Sequence, residues 1–566
     1  MGFSSADRPQ LVQLGAPSRA AAARPPKRGQ GRRANARKVE SITLCSATLG
    51  EDGRHEPPLG PLYIAAALEA VGVAVDFRDF QLHEDAHSFS GDVLARFLAG
   101  HREIVAVSCF VDMLPAVVAA TRTLHRARPE TLFLLGGPGP TSCAERILQE
   151  YPWITAVVRG EGEETVAEWI QLLRGERTGA VAGMVYRKGA ELIEGPSRAR
   201  NHDLDELPLP AYHLVDWSRY SNARIITTRG CSYRCSFCDV TALWGNRSVY
   251  RGLAATVAEI ELLRDRYGKP SIGIVDDTFV LNRDRVRAFC RLLLERRTDI
   301  RWGCFGRINL MTPDLMELMA EAGCCAIFYG IDSGSQQVLD RTVKRLNAKQ
   351  IMPVLRASAR YFDCIEASFI WGYPFERLDD FRRTFDVAAE AATLAPVVNV
   401  QLHMLSPLPL SPIYKEFPRA LREPEIEDRH WLLLPPIFFD ERATELRKLV
   451  RAAPDIYPGF YSFTTPALRA KRRLLERSMR ALNRTVGSAL FDERRARLLK
   501  EEAVAVEQEL LAEPRHPADQ IGVGLAVSYF RRLRLHALFE AGAKPFVGQR
   551  GARHVRERTE AASSNL

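Results

Sequence analysis

From about residue 40 to residue 180, apolar runs of strand length alternate with helix-length stretches whose apolar positions recur near every 3.6 residues. The strand candidates are Ser41–Ala47, Val73–Phe77, Ile104–Cys109, Thr131–Leu135 and Ala156–Arg159. Helical patterns occupy Leu59–Ala70, Pro115–Ala127, Ala144–Tyr151 and Glu163–Arg174 between them. Such alternation predicts an α/β fold, a doubly wound, Rossmann-like parallel sheet whose ligand sites lie at the carboxyl ends of the strands. The loops at those ends carry Pro58 and Gly60, then Ser108, then Gly136, Gly137 and Thr141, and finally Gly160, Glu161 and Gly162. Glycines there let backbone approach a ligand closely, although a tight turn needs glycine too.

Residues 181–222 are mixed and turn-rich, and the prolines of Leu207–Tyr212 forbid a continuous helix, so this stretch reads as a linker. Alternation resumes at Ala223, with strand candidates Arg224–Thr228, Ser271–Val275, Arg301–Gly306, Ala326–Ile331, Ala367–Trp371 and Asn399–Leu405. Six repeats over residues 223–410 predict a partial (β/α)6 barrel with its chemistry at the carboxyl ends. Past Pro412 the pattern changes to charged helices at Glu441–Arg451, Leu468–Val486 and Asp492–Leu511, a mostly helical C-terminal domain over 411–540. The aromatic run Pro454–Phe463 reads either as a plug against the barrel mouth or as a substrate wall. Trp244, Tyr250, Trp371 and Tyr373 fit a substrate-cavity lining and barrel-core packing equally.

At 566 residues, 46% hydrophobic and 26% charged, the chain has the makings of about three globular domains. The most apolar stretch, 104–120, is interrupted by Asp112 and Pro115 and falls short of the ~18 residues of a membrane span. The net charge of +9 does not point to nucleic acid, because residues 1–39 hold nine Lys/Arg against Asp7 alone. That Ala/Arg/Pro/Gly-rich segment reads as a disordered tail, as do residues 541–566. Eleven cysteines suit a reducing, cytoplasmic setting better than a disulfide framework.

The most specific signal is Cys231, Cys235 and Cys238, a C-x3-C-x2-C loop directly after a strand candidate. Three thiolates this close suit an iron–sulfur cluster. A structural zinc site would need a fourth Cys or His nearby, and the next twenty residues hold neither. The loop, with Phe237 before its last cysteine, resembles the signature of radical S-adenosylmethionine (SAM) enzymes. With the glycine-rich strand ends upstream, residues 40–410 resemble the cobalamin-binding members of that family, methyltransferase-like (class B).

The resemblance implies a [4Fe–4S] cluster on Cys231, Cys235 and Cys238, with one iron left open for SAM. It implies SAM contacts at Phe237, Asp276, Asp277, Arg307, Asp332, Ser333 and Gly372. It also implies cobalamin contacts at Pro58, Gly60, Ser108, Gly136, Gly137, Thr141, Gly160, Glu161 and Gly162. The D-x-H-x-x-G motif that ligates cobalt from below in other B12 proteins is missing, since Asp52-Gly53-Arg54-His55-Glu56 has the wrong spacing. His55 therefore reads as a surface residue, and cobalt is expected without a histidine beneath it. Cys45, Cys109 and Cys143 invite comparison with the second cluster of methylthiotransferases, but their intervals of 64 and 34 residues match poorly, and burial explains them more simply.

The implied activity is cobalamin-dependent methyl transfer from SAM to an unactivated or aromatic carbon of a specialised metabolite or peptide, as in antibiotic biosynthesis. The alternative is an oxidoreductase or ring-forming reaction of the anaerobic porphyrin cyclase type. A non-catalytic cluster or cobalamin sensor is disfavoured by intact candidates at every SAM-contact position. The implied partner is an electron donor such as flavodoxin or ferredoxin, with neither nucleic acid nor membrane involved.

Overall fold

The computed structural model describes residues 37–49, 55–86, 89–392, 394, 397–429, 431–432, 434 and 437–475. The basic N-terminal tail up to residue 36, Asp52-Gly53-Arg54, and the helices expected at 476–486 and 492–511 lie outside the described residues.

The first sheet has seven strands in the order β2-β1-β3-β4-β5-β6-β7. These are β1 (Ser41–Ala47), β2 (Ala74–Asp79), β3 (Ile104–Cys109), β4 (Leu132–Gly136), β5 (Ala156–Val158), β6 (Met184–Lys188) and β7 (Glu191–Glu194). The first five run parallel, connected by α1 (Leu59–Ala70), α2 (Gly91–Phe97), α3 (Leu114–Ala127), α4 (Pro138–Thr141) and α5 (Ala144–Glu150), and α6 (Glu163–Leu173) follows β5. Successive strand residues pack to opposite faces, so Ile42, Leu44, Ile104 and Ala106 join α1 and α6, while Cys45, Val105 and Val107 join α2, α3 and α5. Burial on both faces is why the inner strands β3, β4 and β5 read as apolar runs. β6 and β7 form an antiparallel hairpin at the sheet edge, correcting the assignment of 181–222 wholly to a linker. Their mixed polarity is that of an edge strand pair, which sequence periodicity does not separate from a loop.

The second sheet has six strands, all parallel, in the order β15-β14-β13-β12-β11-β8. It comprises β8 (Ala223–Ile225), β11 (Ser271–Ile274), β12 (Arg301–Gly306), β13 (Cys324–Asp332), β14 (Cys364–Trp371) and β15 (Val398–Met404). A short ribbon of β9 (Thr228–Arg229) and β10 (Val249–Tyr250), with α7 (Val240–Trp244) between them, brackets the cysteine loop. Helices α8 (Leu253–Asp265), α9 (Arg283–Glu295), α10 (Pro313–Glu321), α11 (Gln336–Arg341), α12 (Ile351–Ser358) and α13 (Leu378–Ala392) pack outside the six strands as a partial barrel.

Residues 411–475 include α14 (Pro412–Glu416) and α15 (Thr444–Ala452) and cover parts of both earlier regions. Leu446, Val450, Ile456, Tyr457 and Phe460 complete the outer core of the first sheet. The Tyr457 hydroxyl donates to Tyr151 Oη at 2.9 Å, and Phe460 packs on Phe89. Most of the aromatic run therefore covers the first domain, while Phe463 packs in a cluster with Tyr373 and Leu405 of the barrel. Trp371 and Tyr373 are wholly buried, whereas Trp244 and Tyr250 stay partly exposed.

Candidate functional site

The cysteine loop leaves the carboxyl end of the second sheet and is fastened from several sides. Asp276 lies just beyond β11; its Oδ1 accepts from the Thr227 and Thr228 amides at 2.6 and 3.0 Å, and its Oδ2 from the Thr227 hydroxyl at 2.6 Å. Asp277 Oδ2 accepts from the Gly230 amide at 2.9 Å. Gly230 has φ 92°, and a Cβ there would stand 2.6 Å from the Arg247 carbonyl, so glycine is required at this turn. The Ser236 amide donates to the Thr342 carbonyl at 2.9 Å, and its own carbonyl accepts from the Ile413 amide at 2.8 Å.

Cys235 is buried, while Cys231 and Cys238 are half-buried. Arg307 Nη1 approaches Cys235 Sγ at 3.8 Å, and its guanidinium stacks over Tyr233 with 3.6 Å to the ring centroid. Its remaining donors go to Asn309 Oδ1 and the Lys344 carbonyl, so its fork braces the loop. Burial pushes the Cys238 thiol up to about 12, so ionising it would take a bound Lewis acid such as cluster iron. Among the described residues no three His, Cys, Asp or Glu side chains converge as a single-ion site, and cubane ligands need no such convergence on one ion. Soft ligands on a pinned loop with a cation beside them fit an anionic iron–sulfur cluster.

The expected SAM residues divide. Phe237, Arg307, Asp332 and Gly372 gather around the loop: Phe237 is 6.1 Å edge-on from Tyr373, Asp332 (φ 70°) forms an ion pair with Lys344, and Gly372 has φ 87°. Asp276 and Asp277 are used as clasps on the loop's backbone. Burial raises the Asp276 carboxyl to about 6, against the opposing pull of its hydrogen bonds from Thr227 and Thr228. Ser333 is buried and turned toward α13, its Oγ 2.8 Å from Thr384 Oγ1.

At the first sheet, Gly60 and Gly160 open onto free space, and Gly160 has φ 72°. Gly137 (φ 93°) lies against β3, where a Cβ would stand 2.7 Å from the Cys109 carbonyl, and Gly139 lies equally close to Phe110. Thr141 Oγ1 donates to the Gly137 carbonyl at 2.8 Å, which closes this turn. Gly162 packs against Ile64, while Pro58, Ser108 and Gly136 are half-buried at the same strand-end edge. Phe110, directly after β3, is 57% exposed. A strand-end edge left open at Gly60 and Gly160, with the bare aromatic ring of Phe110, fits a broad, largely apolar macrocycle. Cys45, Cys109 and Cys143 are buried free thiols, consistent with packing. His55 is half-buried, and burial, with Arg219 nearby, lowers its pKa.

The residue the sequence reading missed is Arg229, next to the cysteine loop. Its Nη1 reaches Glu161 Oε1 at 3.1 Å and its Nη2 reaches Glu163 Oε1 at 2.5 Å. Tyr63 of α1 and Trp244 of α7 flank the guanidinium at 5.4 and 5.8 Å. Glu161 also accepts from the Asn201 amide at 2.7 Å, so this expected cobalamin contact is spent on joining the two regions. The only available signal was an arginine beside Gly230-Cys231 and the acidic pair of Gly160-Glu161-Gly162-Glu163.

A cysteine loop on a partial parallel barrel, tied to the strand ends of a doubly wound sheet, defines a protein built for two large redox-active cofactors. Residues 225–388 match the model of the Radical SAM superfamily and residues 46–170 that of the B12 binding domain. The chain belongs to the cobalamin-binding branch of the radical SAM superfamily. It is 26% identical to an uncharacterized methyltransferase of Pyrococcus horikoshii over 59% of this chain and 74% of that one. It is 27% identical to the anaerobic magnesium-protoporphyrin IX monomethyl ester cyclase of Rubrivivax gelatinosus over 59% of this chain and 62% of the cyclase. The fold is that of the radical SAM methyltransferase TsrM from Kitasatospora setae, with a TM-score of 0.60 at 16% identity over 93% of this chain and 100% of that one. Its cofactors are a [4Fe–4S] cluster, SAM and cobalamin. Among the described residues, no helix is long and apolar enough to cross a membrane.

Proposed function

We propose that this chain is a cobalamin-dependent radical SAM C-methyltransferase that moves a methyl group from SAM to an unactivated or aromatic carbon of a specialised metabolite or peptide. The observation that carries the reading is the bridge from Arg229 to Glu161 and Glu163, which sets the cluster-bearing loop against the strand ends expected to hold cobalamin. When bound, the cluster supplies an electron to SAM, and cobalamin supplies a cobalt able to carry a methyl group. The chain's own contribution is position. Asp276 and Asp277 pin the loop, Arg307 offsets charge beside Cys235, Phe237 offers SAM a flat surface, and Gly60 and Gly160 leave open strand ends for the corrin.

The likeness to the cyclase favours a second reading, in which the same cofactors serve oxidation or ring formation. Anaerobic incubation of reconstituted protein with SAM, cobalamin and a reductant separates the two. Methylated cobalamin is expected from the methyltransferase; cobalamin that stays bound yet unmethylated would overturn it in favour of the second reading.

A further inference from the structure

If the chain cleaves SAM reductively, each turnover that begins so needs one electron from outside. We propose that it enters through a basic face formed by residues 341–349 and Arg383, which docks a small, acidic, low-potential electron-carrier protein.

From the last residue of α11 to Asn347 the chain alternates strictly between surface and interior. Arg341, Val343, Arg345 and Asn347 are exposed, while Thr342, Lys344 and Leu346 are buried. The buried residues hold the cysteine loop: the Thr342 carbonyl accepts from the Ser236 amide, the Lys344 carbonyl accepts from Arg307, and Lys344 Nζ pairs with Asp332 and lies 5.8 Å from the centre of the Phe237 ring. Arg307 in turn reaches Cys235 Sγ. One hydrogen bond therefore separates this segment from the residue next to a cluster ligand.

The outward side differs in character. A cavity of about 660 Å³ opens beside it, lined by Arg345, Lys349 and Arg383 with Asp340 as its one acidic residue. Arg383 has a 3.7 Å contact with Asp380, and its side chain remains 62% exposed. Val343 is 39% exposed at φ 55°, and Arg345 has φ 53°. A left-handed backbone is a true outlier for a β-branched residue, and such strain collects at functional sites. A concave cationic surface with an exposed apolar residue, Val343, on the same segment, backed by the cysteine loop, matches a partner with acidic and apolar contact groups that must come close and leave quickly.

The electron balance is simple: the carrier, as a reduced flavoprotein, loses one electron, and the oxidised [4Fe–4S] cluster gains it, with no bond made or broken in the chain. The test uses reconstituted full-length protein and an acidic flavodoxin. The double variant Arg345→Glu/Lys349→Glu is expected to lower the rate constant for cluster reduction by reduced flavodoxin about tenfold or more. The wild-type rate is expected to fall with rising salt, and iron content to stay unchanged. Reduction by dithionite, a small anion that needs no docking face, is expected to stay within about twofold of wild type. An unchanged flavodoxin rate overturns the proposal, and so does an equal loss with both reductants, because that places the two residues in the cluster's own environment. Failure of the functional reading shows separately, as normal reduction by both donors without methyl transfer.

Discussion

Arg229 and Glu163 meet at 2.5 Å across the boundary between the two sheets, with side chains only 8% and 10% exposed. Arg229 stands one residue before Gly230 of the cysteine loop, and Glu163 is the first residue of α6. Burial works against the Arg229 charge, yet Glu163 and Glu161 together hold its pKa above the ordinary value. Replacing Arg229 by leucine would strand two buried carboxylates, at a cost of about 3–5 kcal/mol. Denaturant unfolding is expected to show that loss, and Glu163→Gln in the same background to recover part of it. Arg229→Lys should fall between, because a point charge cannot engage both carboxylates as a planar fork does.

Asp276 holds Thr227 and Thr228, just before the cysteine loop, with both carboxylate oxygens. Asparagine preserves most of the acceptor geometry, so Asp276→Asn should retain iron and bind SAM within a few-fold of wild type, while Asp276→Ala should lose iron. A large loss of SAM affinity in the asparagine variant would return the residue to the SAM site. The variant also isolates a pH effect. With its folded pKa raised from 3.8 to about 6, the native carboxyl holds its proton after the unfolded one has released it. Stability from this group is thus present below about pH 4 and lost as pH rises through about 6, by about 3 kcal/mol. Asp276→Asn should flatten that window in pH-dependent denaturation.

Gly137 and Gly160, both at positive φ on the strand-end edge of the first sheet, should respond differently. Gly137→Ala combines backbone strain with a contact of 2.7 Å to the Cys109 carbonyl, so both stability and cobalamin affinity are expected to fall. At Gly160 the new Cβ meets open space, leaving only the left-handed penalty of about 1–2 kcal/mol. Equilibrium titration with cobalamin, alongside thermal unfolding, checks both.

Lys471 and Glu376 form a wholly buried pair at 2.8 Å, and Glu376 Oε2 also accepts from the Gly372 amide at 2.9 Å. Lys471→Met should cost about 3–5 kcal/mol by leaving Glu376 uncompensated. SAM affinity should weaken as the Gly372 turn loosens, whereas cobalamin affinity at the other sheet should not. Equal loss of both ligands would mean a global effect.

Both parallel sheets and the cysteine loop were legible in the sequence because period, turn glycines and cysteine spacing are local signals. What escaped was long-range. Nothing near Lys471 announces a partner 95 residues upstream, and Arg229 resembles any arginine at a strand end until Glu161 and Glu163 are placed opposite it. The hairpin Met184–Glu194 escaped because its edge position weakens the apolar alternation that marks a strand. Asp276, Glu161 and Ser333 were found as polar residues at strand ends, but sequence does not reveal that backbone or neighbouring side chains already occupy their oxygens.

The central claim is that one chain passes a methyl group from SAM to cobalt and on to carbon. Reconstituted protein given SAM with a trideuterated methyl group, cobalamin and reductant under anaerobic conditions tests it most directly. Mass spectrometry of the bound cobalamin should show the intact trideuterated methyl group, and Cys235→Ala protein, lacking the cluster, should release no 5′-deoxyadenosine. Wild-type protein holding iron, SAM and cobalamin that leaves cobalt unlabelled would contradict the account.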